Sequence, residues 1–139
     1  MKLSARNQFA GVVTSVADGA VNGIVTLDVN GTAVNACITM GSIKGLGLVP
    51  GKKAYAVFKA SEVMIGLGDR LALSARNQFP GTVAAVQKGA VNATVQVEAL
   101  GGVISASITN ASVDALGIAP GAKVLAVIKA SSVMVGVDD

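Results

Sequence analysis

A chain of 139 residues with 52% hydrophobic, 14% charged and 3% aromatic side chains has enough apolar material for a packed core and too little charge to remain disordered. Its net charge of +3 is spread thinly, six basic against four acidic residues in 1–69 and five against four in 70–139. That lacks the dense basic stripe of a nucleic-acid binder. There is no His, only one Cys (Cys37), and no apolar run long enough for a membrane span. These features argue against general acid–base catalysis, an internal disulfide and a membrane protein.

In chain order, Met1-Lys2-Leu3 leads at once into polar Ser4, which is not a secretory pattern, and the expected location is the cytoplasm. Phe9 to Ala17, rich in Val and Thr, predicts a strand, with a start as early as Lys2 to Asn7 also allowed. Asp18-Gly19 signals a turn. Val21 to Val29 predicts a second strand, and Asn30-Gly31 a tight hairpin into a third, Thr32 to Thr39. Gly41 to Leu48 is short and Gly-rich, enough for one helical turn. Pro50-Gly51 turns the chain into strands at Ala54 to Lys59 and Val63 to Gly66.

The same punctuation then returns. Leu3-Ser4-Ala5-Arg6-Asn7-Gln8-Phe9 recurs as Leu73-Ser74-Ala75-Arg76-Asn77-Gln78-Phe79, an offset of 70 residues. Gly19-Ala20-Val21-Asn22, Ile38-Thr39, Pro50-Gly51 and Lys59-Ala60-Ser61 recur at the same offset, and about half the aligned positions are identical. Two copies are too few for a solenoid. The expectation is an all-β protein of two tandem small barrels of the oligonucleotide-binding type, each with about one short helical turn, divided as 1–69 and 70–139. No Pro- or Ser-rich linker separates the halves, so they should pack closely.

Packing requires only similar apolar residues in both copies, as at Leu27/Val97 and Phe58/Ile128. Polar identity is more informative. Ser4/Ser74, Arg6/Arg76, Asn7/Asn77, Asn22/Asn92, Thr39/Thr109, Ser42/Ser112, Lys59/Lys129 and Ser61/Ser131 are kept. Other surface positions have drifted, with charge reversal at Asp18/Lys88 and Lys44/Asp114. The kept set is rich in hydrogen-bond donors and contains no carboxylate. It suits an oxyanion rather than a hard cation. Phosphate is partly protonated near neutral pH and needs an acceptor. Molybdate and tungstate are full dianions, and so is the smaller sulfate, which only pocket size can reject.

The run Ser-Ala-Arg-Asn-Gln-Phe, then Gly-Ala-Val-Asn, Ile-Thr-x-x-Ser and Lys-Ala-Ser resembles the Mop domain family, the molbindins, and the two-domain members in particular. Related TOBE modules share that fold. The resemblance covers essentially the whole chain. It implies oligonucleotide-binding-type barrels, assembly into oligomers with a homotrimer favoured, and molybdate or tungstate held between domains. It implies one kind of site from Ser4, Arg6, Thr39, Ser42, Lys59 and Ser61, with Ser74, Arg76, Thr109, Ser112, Lys129 and Ser131. It places a second kind near Ala20, Val21 and Asn22, and Ala90, Val91 and Asn92. Many family members have Pro where Ser61 and Ser131 stand, which implies that the side-chain hydroxyl is not required there.

Plainer readings stand beside these. Arg6 and Arg76 could serve an interface, Lys59 and Lys129 could be solvated strand ends, and Asn22 and Asn92 could stabilise turns. Ser42 and Ser112 could cap the helical turn. Ser and Asn accompanying each Arg favour the ligand role. Asp28 and Glu98 are expected on a solvated face, and Met64 and Met134 in the core. Cys37 aligns with Ser107 as a tolerated small residue. No catalytic residue, metal-cation site or catalytic cofactor is expected; the ligand is molybdate or tungstate. The reading is an intracellular, non-enzymatic store of molybdenum without nucleic-acid or membrane partners. The alternatives are a barrel binding single-stranded nucleic acid, which needs aromatic platforms, and an oligomerisation or regulatory module without ligand.

Overall fold

The computed structural model describes residues 2–138. The first repeat supplies β1 (Asn7–Ala17), β2 (Asn22–Val29), β3 (Thr32–Thr39), α1 (Met40–Gly45), β4 (Lys53–Phe58), a 3-10 turn at Ala60–Glu62 and β5 (Met64–Gly66). The second supplies β6 (Asn77–Lys88), β7 (Asn92–Ala99), β8 (Gly102–Thr109), α2 (Asn110–Leu116), β9 (Lys123–Ile128), a 3-10 turn at Ala130–Ser132 and β10 (Met134–Gly136). These elements form two curled, five-stranded antiparallel sheets of the oligonucleotide-binding barrel type, in orders β10-β4-β1-β2-β3 and β5-β9-β6-β7-β8.

Local chemistry explains the elements. In β2 the buried residues alternate as Gly23, Val25, Leu27 and Val29, the period of a strand with one face inward. The hairpin after it turns at Asn30 (φ 50°) and Gly31 (φ 88°), a left-handed pair for which Asn-Gly is suited. Its counterpart turns at Leu100 (φ 55°) and Gly101, so a Leu occupies a conformation that a side chain disfavours. Asn30 compensates across the molecule: its amide donates to the Leu100 carbonyl at 2.7 Å. Bends come from bulges in the pairing between Val13 and Ser15 and between Val83 and Ala85. Gly11 lets β1 pass close to its neighbour, because a Cβ there would stand 2.6 Å from the Asp28 carbonyl oxygen.

The sheets do not follow the sequence repeat. β5 leaves the first repeat to pair with β9, Met64 opposite Val127, and β10 returns to pair with β4, Met134 opposite Val57. Each sheet thus holds four strands from one repeat and one from the other, and residue 69/70 divides the sequence but not the sheets. One continuous apolar core runs through both repeats, with Phe9 and Phe58 stacked at 5.9 Å in the first and Phe79, Val95 and Ile104 in the second.

Buried amides bind the repeats together. Asn7 is 1% exposed; its Nδ2 donates to the Ser105 carbonyl at 2.9 Å and its Oδ1 accepts from the Ser105 N–H at 2.8 Å. Asn77 does the same for Asn35, both bonds at 2.8 Å. At the 3-10 turns, Ser132 Oγ donates to Glu62 Oε2 at 3.1 Å. Residues 62 and 132 are equivalent in the repeats, so an approximate two-fold axis passes between them.

Two expectations are corrected. Met64 and Met134 are not core: each is 44% exposed, because β5 and β10 are three-residue strands whose inward position falls on Ile65 and Val135. The helix caps are Thr39 and Thr109 rather than Ser42 and Ser112, since it is the Thr hydroxyl that accepts the N–H three residues on, at 3.1 Å.

Candidate functional site

The twelve residues expected to hold an oxyanion divide into two groups. The first group flanks β4. The segment before β1 carries Ser4 and Arg6, and the strand end carries Lys59 and then Ser61 in the 3-10 turn. Asn7↔Phe58 is a register pair, so Arg6 and Lys59 sit one residue beyond it on neighbouring strands. These four residues line one cavity of about 450 Å³ together with Leu3, Ala5, Ala60 and Met134. Two cations and two hydroxyls face that space, and no carboxylate lines it. Arg and Lys can only donate, so the cavity can bind several oxygens of one anion and has little affinity for a metal cation.

The second group lies at the start of each helix. Thr39 Oγ1 donates to Ser42 Oγ at 2.9 Å and accepts from the Ser42 N–H, and Thr109 and Ser112 repeat this geometry. Thr109 and Ser112 line a second cavity, of about 360 Å³, with Ser61, Met64 and Ile65 of the other repeat. This composite arises because the exchanged segment 61–65 lies along β8. Ser61 therefore borders both cavities.

Within this chain the expected set of Ser4, Arg6, Thr39, Ser42, Lys59 and Ser61 is not gathered into one cavity: Thr39 and Ser42 do not line the space that Arg6 and Lys59 face. Ser74, Arg76, Lys129 and Ser131 stand exposed at the equivalent places in the second repeat. All twelve residues are exposed except Ser112, which is half-buried. The Ala20-Val21-Asn22 and Ala90-Val91-Asn92 segments form hairpin tips beside the helix caps. The register sets Asn22 opposite Thr39 and Asn92 opposite Thr109. The tips are tied to the helix starts by Met40 N–H to Val21 O and Asn110 N–H to Val91 O, both at 2.8 Å. Val21 and Val91 are 73% and 71% exposed.

Sequence reasoning missed Met64 and Met134 as cavity walls. Their identity in both repeats was the available signal, and it reads equally well as core. Asn7 and Asn77, kept alongside each Arg, serve the clamp between repeats, so their presence is no argument for a ligand at Arg6 or Arg76. Among the described residues, no group of three or more His, Cys, Asp or Glu is placed to hold a metal ion, and no helix is long and apolar enough to cross a membrane.

The TOBE domain model matches twice, over residues 3–65 and 73–135. The chain is 43% identical over 140 residues to the molybdenum transport protein ModE of Herbaspirillum seropedicae, covering 99% of this chain and 52% of that protein. It thus spans about half the length of that relative. A probable molybdenum-pterin-binding protein of Haemophilus influenzae is 44% identical over 68 residues, 48% of this chain and 99% of that one. Among solved structures, the cytoplasmic molybdate-binding protein ModG, in a form with molybdate bound, superposes with a TM-score of 0.95 at 42% identity, over 99% of this chain and 100% of that one. Both repeats, and with them nearly the whole chain, therefore belong to the TOBE domain family, in the branch of Mop-type molybdate-binding proteins.

Proposed function

We propose that this protein binds molybdate, or the equally charged tungstate, without catalysing a reaction, and serves intracellular molybdenum storage and homeostasis in the cytoplasm. The observation that carries the reading is the cavity in which Ser4, Arg6, Lys59 and Ser61 converge with no acidic side chain among them. The likeness to ModG, which is described as cytoplasmic and was solved with molybdate bound, supports it.

The working unit is two Mop-like domains, 1–69 and 70–139, in a homotrimer. The donors lie exposed in a single chain, and Leu3 (54%) and Met134 (44%) add exposed apolar surface at the cavity rim. A neighbouring chain that covers this rim would dehydrate the cations and bring its Thr and Ser hydroxyls to the Arg and Lys, completing the set of twelve. Sites of the second kind would lie where the Ala20–Asn22 and Ala90–Asn92 tips meet. Against a nucleic-acid role, Phe9, Phe58 and Phe79 are buried, so they cannot serve as stacking platforms.

Calorimetric titration with molybdate, with sulfate and phosphate as competitors and a single-stranded oligonucleotide in parallel, tests the reading. Binding of molybdate in preference to both competitors is expected. Uptake of the oligonucleotide and none of molybdate would overturn it. Light scattering should give the mass of three chains.

A further inference from the structure

Met134 is the wall of the Arg6–Lys59 cavity that comes from the other repeat, on exchanged strand β10. Met64, its equivalent, lines the cavity of Ser61, Thr109 and Ser112. Both side chains are 44% exposed, so packing does not account for their identity. Beside them, half-buried Ile65 has become Val135 and buried Val63 is retained as Val133; the methionines are retained although exposed. An unbranched thioether at the same place in both repeats, turned toward hydrogen-bonding groups each time, points to a role in the cavity.

We propose that Met64 and Met134 are specificity-determining residues, each presenting to a bound oxyanion a wall without a strong hydrogen-bond acceptor and thereby selecting against protonated anions. The proposal rests on the anion-binding reading above. Hydrogenphosphate brings an O–H that must donate, and a thioether is a weak acceptor. The side-chain oxygens lining the cavities are hydroxyls, Ser4 and Ser61 in one and Ser61, Ser107, Thr109 and Ser112 in the other, so an O–H that faces the methionine instead of these loses a hydrogen bond that water had supplied. A fully deprotonated tetrahedral dianion has no such proton and loses nothing. The flexible side chain also adapts to the size of the guest, so the presence of a proton rather than radius is what this wall reads.

The test compares the full chain with the double variants Met64→Gln with Met134→Gln, and Met64→Leu with Met134→Leu, all checked for folding by circular dichroism and thermal melting. Gln keeps the length of the side chain and adds a carbonyl acceptor together with N–H donors that serve phosphate and sulfate alike, so the ratio between the two isolates the acceptor; Leu adds neither. Competition against bound molybdate is measured for phosphate and for sulfate, an unprotonated control. In the Gln variant phosphate should gain about three- to tenfold on sulfate as a competitor, the worth of one added hydrogen bond, and in the Leu variant the ratio should not move. Parallel shifts for phosphate and sulfate, no shift, or loss of molybdate binding by the folded Gln variant would each overturn the proposal. If the unaltered protein binds no molybdate, it is the anion-binding reading that fails instead.

Discussion

Asn7 and Ser105, 98 positions apart, are joined by two hydrogen bonds in which the buried carboxamide takes up both the N–H and the C=O of one residue of β8. The side chain thus acts as a strand neighbour at a place where no strand runs. Asn7→Ala leaves both backbone groups of half-buried Ser105 without their partner. The expected cost is about 2–4 kcal/mol of global stability, read as a lower urea midpoint at unchanged m-value. Asn77→Ala should do the same through Asn35. A change under about 0.5 kcal/mol, the range of an ordinary surface substitution, would show the clamp to be incidental.

Arg6 and Arg76 are the charged donors of the first motif. Replacing both with Gln should weaken molybdate binding about tenfold or more per site, because hydrogen bonds to charged groups contribute about 1.5–3 kcal/mol. Neither guanidinium is buried, so the melting temperature without anion should stay within a few degrees of the parent. Calorimetry and melting together separate a lost ligand contact from a lost fold.

Tyr55 donates its hydroxyl proton to Asp138 Oδ2 at 2.9 Å. That hydrogen bond, followed by the negative charge of Asp138, raises the phenol above its ordinary value of 10.0. The sign follows: a raised folded value gives stabilisation that is complete below the unfolded tyrosine value and is lost as pH rises through the folded one. The protein has one tyrosine, so ultraviolet absorbance reads this group alone. Its midpoint should fall toward 10 in Asp138→Asn, and Tyr55→Phe should remove the alkaline step.

Lys88 and Asp114 form an ion pair on the surface of the second repeat. The first repeat has Asp18 and Lys44 at the same two positions, and both border one cleft. The reversals that look like independent drift in the sequence thus fall on two neighbouring positions that keep opposite signs in each repeat. Lys88→Asp alone should destabilise slightly, and adding Asp114→Lys should restore the loss. The coupling in a double-mutant cycle should be about 0.3–1 kcal/mol, since both side chains are largely exposed. High salt should abolish it.

The strand plan was legible because turns and alternation are local. Asn30-Gly31 set the second hairpin, and β3 runs over Thr32–Thr39 as expected. The exchange of β5 and β10 was not legible, for a reason the repeat itself supplies. Met64 and Met134, like Gly66 and Gly136, are identical, and the partner position on β4 and on β9 is Val in each case, Val57 or Val127. Pairing within a repeat and pairing between repeats both set Met against Val and a branched apolar residue, Ile65 or Val135, against Ala, so the pairing residues alone do not decide between them. The candidate site was half legible on the same grounds. Ser4 with Arg6 and Lys59 with Ser61 are close in sequence within each motif and meet across one strand pair. Thr109 and Ser112 meet Ser61 only because the exchanged segment carries it to the other repeat.

The crossed strands also order events during synthesis. A chain leaves the ribosome from its N-terminus, and β1 to β4 are available early, yet the slot beside β4 stays open until residues 134–136 have emerged. Until then a bare sheet edge is exposed, a template for unwanted pairing with other nascent chains. Translation speed through the second repeat therefore sets how long that hazard lasts.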